Sequence, residues 1–311
     1  MANAIPLLEG TAASGGYLVP ANNVPGITFE RGIQRLSAVA GMPGLRIRQV
    51  TGKQETYTDY VGRPTVATVA EGADKPATGA ELAQVTLDIK KAAGLVMFTE
   101  ELIEDAGPDL LQRIDVDIRA AFADYIDTNA LGRNSSGAIV GAFNSELSET
   151  TQTQELGTTG DAIALAISKA MGKVEAQGYN PTGIILAADG RGALRDARNA
   201  VETTAPVYAP GYSQPPDSLY GLPIRYTSNL QPFATAAGAG VVKAIVGDFS
   251  HALLGIRNDI RRKVSTEATV NVSGTDHRLW QQNKTGVLWE TRVGFVAHDL
   301  NKAFCAIVDA S

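Results

Sequence analysis

The sequence has a single cysteine, Cys305, so no disulfide can form within one chain. It sits in the apolar run Ala303-Phe-Cys-Ala-Ile-Val308 with no cationic neighbour, which marks a buried structural thiol rather than a nucleophile. Histidine is almost as scarce. His251, His277 and His298 are the only three, and no pair has metal-ligand spacing. No stretch reaches the ~18 apolar residues of a membrane span. The opening Met1-Ala-Asn-Ala-Ile-Pro-Leu-Leu-Glu9 lacks the basic start and long apolar core of a signal peptide. A protein made and kept in a cytosol-like compartment is expected. A surplus of positive charge is also missing. The net charge of −6 argues against a dedicated nucleic-acid binder, though not against a container for nucleic acid. The Ala/Gly stretch at 234–240 lacks the strand–turn–helix context of a phosphate cradle. Ser, His and Asp occur, but in no nucleophile-elbow context. There is no internal repeat.

What is present is a chain of 311 residues, long enough for one large domain or two ordinary ones. Its apolar fraction of 44% supports a substantial core. Charged residues make up only 19%, which fits a chain that hides much of its surface against copies of itself.

Residues 1–44 carry Gly15, Gly16, Pro20, Pro25, Pro43 and Gly44, which rule out one long helix. Ile33, Leu36 and Val39 predict a short helix near 29–39. The rest reads as an extended arm that needs a partner surface. Residues 45–98 alternate as strands, notably Val85, Leu87 and Ile89 against Thr86, Asp88 and Lys90. The stretch from Gly62 to Gly79 has few large apolar residues, so a long hairpin that packs on a neighbour is predicted. The clearest helix spans 108–133. Leu111, Ile114, Ile118, Phe122, Tyr125 and Ile126 trace one face, Pro108 suits the first helical position and Gly132 ends it. Residues 99–127 carry nine acids against Arg113 and Arg119, a local net of −7. Further on, a helix near 161–177, a buried strand at 182–188 and a helix near 191–200 form a small α/β layer. A Pro- and Tyr-rich loop fills 206–216. Strands follow at 241–247, at 251–256 and through the C-terminal runs.

Several segments in this order carry a family likeness. They begin with Gly16-Tyr-Leu-Val-Pro20 and Val69-Ala-Glu-Gly-Ala-Asp-Lys-Pro76. Glu100-Glu-Leu-Ile-Glu-Asp105, Gly183-Ile-Ile-Leu186 and Gly221-Leu-Pro-Ile224 come next. Val246-Gly-Asp-Phe-Ser250 and Arg257-Asn-Asp-Ile260 follow. The series closes on Asn283, Glu290 and Arg292-Val-Gly-Phe295. Together they resemble the major capsid proteins of tailed bacteriophages (Caudoviricetes), with the Hong Kong 97-like fold. The resemblance implies an α+β fold with an N-terminal arm at 1–44 and an extended loop at 45–90. It further implies a P-domain with a long spine helix at 91–135 and 259–311, and an A-domain at 136–258. Such a protein is a virion structural protein without cofactor, metal or diffusible substrate. It self-assembles into hexamers and pentamers of an icosahedral shell around double-stranded DNA, in the host cytoplasm. A portal and a decoration protein are implied partners. The chain lacks the N-terminal scaffolding segment of some relatives, which implies that either a separate scaffolding protein exists or none is needed. Encapsulin, a nanocompartment of the same fold that stores enzymes, is the alternative.

In a crosslinking relative a loop lysine attacks an asparagine amide of another subunit while a glutamate takes the proton. Lys75, Asn283 and Glu290 match those positions, and Thr291 departs from the second acid often found there. The plainer reading gives Asn283 and Glu290 structural hydrogen bonds and Lys75 a salt bridge. A crosslink needs a neutral amine, so an apolar pocket drawn from Val287, Leu288 and Trp289, with Leu288 rather than Trp289 on the face of Glu290, would have to raise the glutamate pKa and lower that of the lysine. Inter-subunit contacts are expected between the bases Arg46, Arg48, Arg63 and Lys75 and the acids Glu100, Glu101, Glu104 and Asp105. Asp189 is expected to cap a helix. Arg261, Arg262 and Lys263 are read as partners for acids rather than for DNA.

Overall fold

The computed structural model describes residues 37–62, 66–75, 81–106, 109–132, 141–157, 162–196, 217–233, 241–272 and 274–309. The predicted arm up to residue 36, Arg63, Pro108 and the 206–216 loop lie outside these residues.

β1 (Arg46–Gln49) is the first strand of the described residues. β2 (Gln54–Gly62) and β3 (Glu81–Asp88) pair antiparallel, with Tyr57 opposite Val85, and form the predicted hairpin. β4 (Lys90–Thr99) leads directly into α1 (Glu100–Ala106), and α2 (Asp109–Leu131) is the predicted spine helix. The acidic run at 100–105 therefore forms a short helix of its own before the spine. Thr99 caps it by accepting the Leu102 N–H at 3.2 Å, and Glu100 and Glu101 occupy its first turn, where the helix dipole favours negative charge.

The chain continues through β5 (Thr153–Glu155), α3 (Ala162–Ala176), β6 (Gly183–Ala187) and α4 (Gly190–Asp196). The short β7 (Ser218–Leu219) precedes β8 (Leu222–Thr227) and β9 (Val242–Gly247). β10 (Ala252–Ser265) is followed by the small hairpin β11 (Thr269–Val272) and β12 (Thr275–Arg278). β13 (Lys284–Ala297), α5 (Leu300–Ala303) and β14 (Phe304–Val308) end the fold.

Two main sheets result. One has four strands in the order β1-β10-β13-β4, the other six in the order β5-β14-β9-β6-β8-β7. In the six-stranded sheet β6, β9 and β14 are buried along their whole length. β6 and β14 are unbroken apolar sequences, while β9 carries the buried Lys243, whose ammonium donates to Pro232 O at 2.6 Å and pairs with Asp309 at 3.7 Å. Ile163, Ile167, Ala170 and Val174 of α3 cover one face over Ile184, Val246, Cys305 and Ile307. Phe249 and Phe304 meet edge to face on the other, with ring centroids 5.4 Å apart. In the four-stranded sheet Ile114 and Phe122 of α2 bury Phe98, Val287 and Trp289. Gly132, at φ 77°, ends α2 and donates its N–H to Thr128 O at 2.9 Å.

The expected domain boundaries differ from this arrangement in two places. β10 runs unbroken across 258/259, its first half paired with β1 and its whole length with β13. Residues 304–308, expected with the spine helix, lie between β5 and β9 in the other sheet. Their continuous apolar run demands burial on both faces, which that sheet provides.

The hairpin root crosses the four-stranded sheet where Gly255 and Gly294 face each other in register. A Cβ on Gly294 would stand 2.3 Å from Asp88 O, and one on Gly255 would stand 2.5 Å from Leu87 Cδ2. Two side-chain-free positions are thus what let Leu87 and Ile89 pack with Val50 and Val296. Beyond this root the hairpin has little to pack against. Val66 is 98% exposed and Leu82 59%.

Candidate contact and crosslinking surfaces

Along β13, Val287, Trp289 and Thr291 point into the protein, while Leu288, Glu290 and Arg292 point away from the spine helix. Leu288 shares the face of Glu290, as expected, but the apolar pocket is not there. Glu290 lies opposite Ala93 of β4 and Arg261 of β10, so Lys91 and Lys263 are its diagonal neighbours. Lys91 pairs with one carboxylate oxygen and Lys263 with the other, the latter at 3.0 Å. The hydrogen bonds from the two ammonium groups hold Glu290 down at about 2. This is opposite to the raised value that proton transfer from a lysine needs, and the cause is ion pairing in place of desolvation.

Asn283 adopts a left-handed conformation, φ 45° and ψ 52°, in the turn before β13. Its carbonyl accepts the Glu100 N–H at 2.9 Å and so ties this turn to the start of α1; its side chain is exposed. Seven strand residues span about 23 Å at ~3.3 Å each, so one chain cannot bring Asn283 and Glu290 into a single site. Lys75 is exposed on the connection between β2 and β3. A crosslinking site would therefore have to draw Asn283 and Glu290 from different copies.

Arg46 and Arg48 are exposed on β1, and Glu100, Glu101, Glu104 and Asp105 are exposed on α1. Asp189 precedes α4, and its carbonyl accepts the Gly192 and Ala193 N–H groups at 2.8 and 3.2 Å. Of the basic trio, Lys263 does pair with an acid, Glu290. Cys305 is buried, and burial pushes its thiol up to about 11, as befits a structural residue. Among the described residues no group of His, Cys, Asp or Glu could hold a metal ion, and no helix is long and apolar enough to cross a membrane.

Three features were not foreseen. Asp127 of the spine helix is buried and accepts hydrogen bonds from Ser37 Oγ at 2.6 Å, Ala38 N–H at 2.6 Å and Val39 N–H at 3.0 Å. It thereby anchors the turn that leads out of the arm region. Burial raises its carboxyl to about 6 despite these three donors, and Asp124 adds repulsion. Trp280, in the turn beside Asn283, is 77% exposed. His251 and His298, 47 residues apart in sequence, come within 6.3 Å ring to ring.

Comparison with known proteins places this geometry in context. Residues 15–309 match the model of the phage capsid family. No curated protein sequence matches the chain. Among solved structures, a chain from Mycobacterium phage Ogopogo is 22% identical with a TM-score of 0.73, over 95% of this chain and 98% of that one. One from Gordonia phage Cozz is 22% identical with a TM-score of 0.73, over 89% and 87%. A chain described as the capsid of an empty GTA particle is 18% identical with a TM-score of 0.68, over 98% and 100%. These likenesses establish a shared phage capsid fold of mixed α and β structure.

Proposed function

The chain belongs to the phage capsid family and is a capsid shell protein, and we propose that it is the subunit of an icosahedral head built from hexamers and pentamers around double-stranded DNA. The observation that carries this reading is the family match across residues 15–309, on a fold shared end to end with phage and GTA particle chains. The hairpin supports it. Its outer half exposes Val66 and Leu82, and an isolated hairpin is marginal in water, so a neighbouring copy is its natural support. The domain scheme of arm, extended loop, P-domain and A-domain is retained with the boundaries adjusted to the two sheets. No reaction on a diffusible substrate is proposed. Scaffolding, portal and decoration proteins are the proposed partners, and the virion, after assembly in the host cytoplasm, is the proposed location.

Contacts between copies are proposed to set Arg46, Arg48, Arg63 and Lys75 of one copy against Glu100, Glu101, Glu104 and Asp105 of the next. Single exposed pairs contribute only ~0–1 kcal/mol, but a shell repeats them at every contact. The Lys75–Asn283 crosslink would require Glu290 to release Lys91 and Lys263 as a neighbour arrives. A ladder of covalent oligomers from mature shells boiled in detergent would support it, and a single monomer band would leave the three residues structural. Deleting residues 1–25 tests the assembly reading: the truncated chain should stay soluble and form few or no shells. The contents of wild-type shells separate the head from the encapsulin alternative, DNA for the first and enzyme cargo for the second.

A further inference from the structure

Beneath the hairpin root lies a cavity of about 160 Å³ that the shell role leaves unexplained. Its floor is the face of the four-stranded sheet that carries Arg46 and Arg48. Tyr57 and Thr58 of the hairpin wall one side, and His251 and His298 also line it. Among the described residues no carboxylate lines it. Arg46 forms no hydrogen bond or ion pair among the described residues. Arg48 lies over the Tyr57 ring, 5.3 Å from its centroid, which fixes the direction of its guanidinium. The carboxylates around the cavity are already engaged. Glu55 accepts from the Tyr57 hydroxyl at 2.5 Å and the Thr51 N–H at 3.1 Å, and it lies close enough to Arg48 for that charge to help lower its pKa, so Arg48 has one acidic neighbour outside the cavity lining. Asp299 accepts from the Tyr179 hydroxyl at 2.7 Å and pairs with His298 at 3.7 Å, and Asp248 accepts from the Ser250 hydroxyl at 2.7 Å.

We propose that this cavity binds an oxyanion of the phosphate class between Arg46, Arg48 and the two histidines. Two guanidiniums, each a planar fork of donors, match the oxygens of a tetrahedral anion, and His251 Nδ1, buried without a hydrogen-bond partner among the described residues, and the Thr58 hydroxyl can each offer one further donor. The ligand would join three parts of the chain that are distant in sequence: β1, the hairpin root, and the turns that hold His251 just before β10 and His298 just after β13. It would thus fix the angle at which the hairpin leaves the sheet. The cluster is invisible to spacing rules because its members come from 46–58, 251 and 298.

The test is calorimetric titration of the full-length, unassembled chain with sodium phosphate at constant ionic strength, with sodium chloride as the blank. Saturable one-to-one binding of phosphate but not chloride is expected. Arg46→Gln and Arg48→Gln should each weaken it about tenfold or more, while Lys169→Gln should not. Hydrogen exchange at 54–58 and 84–88 should slow in phosphate. A short oligonucleotide without terminal phosphate forms the second arm. Binding of phosphate alone assigns a free ion, and binding of both assigns a nucleic-acid backbone phosphate. Absence of saturable binding, or unchanged binding by both arginine variants with native circular dichroism, would overturn the proposal. Binding is read on dissociated chains, so its failure leaves the shell reading intact, and failure to form shells leaves the site standing.

Discussion

Asp127 offers a stability test with a definite sign. Its carboxyl is raised from the ordinary 3.8 to about 6, chiefly by burial, while Ser37, Ala38 and Val39 donate to it. A folded-state value above the unfolded one means that the protonated form favours folding. The contribution is fully present below pH 3.8 and is lost as pH rises through about 6. The whole difference amounts to roughly 3 kcal/mol, of which about 1.4 kcal/mol appears between pH 7 and pH 5. Asp127→Asn removes the titration. It keeps an acceptor for Ser37 and Val39 but turns an amide toward the Ala38 N–H, so it should destabilise at every pH. The assay is urea unfolding of the unassembled chain at pH 7, 6 and 5, comparing wild type with the variant. The stability of wild type relative to Asp127→Asn should rise by roughly 1.4 kcal/mol from pH 7 to pH 5. A flat difference, or one that falls on acidification, would refute the reasoning.

Glu290 should show the opposite dependence, because its value is lowered by Lys91 and Lys263. Its contribution is present above pH 4.5 and lost as pH falls through about 2, so Glu290→Gln should lower the melting temperature at pH 7 and converge with wild type in strong acid. Gly294→Ala would place a methyl 2.3 Å from Asp88 O and should cost about 1–3 kcal/mol, seen in urea unfolding together with faster hydrogen exchange at the hairpin root. Trp280→Ala removes an aromatic ring that is 77% exposed, so it should leave the melting of unassembled chains unchanged while raising the concentration needed for assembly, as followed by light scattering.

The spine helix was legible because Ile114, Ile118 and Phe122 recur at helical spacing, and Gly132 closes the helix with a positive φ. β6 and β14 were legible as unbroken apolar runs, and β9 as an apolar run interrupted by Lys243. Which sheet would take β14 was not, since a fully apolar strand carries no record of its neighbours. Resemblance, rather than periodicity, singled out Asn283 and Glu290. The pairing of Glu290 with Lys91 and Lys263 depends on the registers of β4 and β10, which no local pattern encodes. Asp127 is one of the nine acids of residues 99–127, and nothing in its local sequence sets it apart from the others. Its burial against residues 37–39 is a tertiary contact across about ninety residues. The Arg46, Arg48, His251 and His298 cluster is likewise assembled by the fold alone.

Electron microscopy of the purified full-length chain tests the central claim most directly. Negative-stain images should show closed, hollow particles of uniform diameter with hexameric and pentameric units on their surface. A homogeneous population of monomers or small oligomers, persisting at high protein concentration and with scaffolding protein supplied, would contradict the assignment as a self-assembling shell subunit.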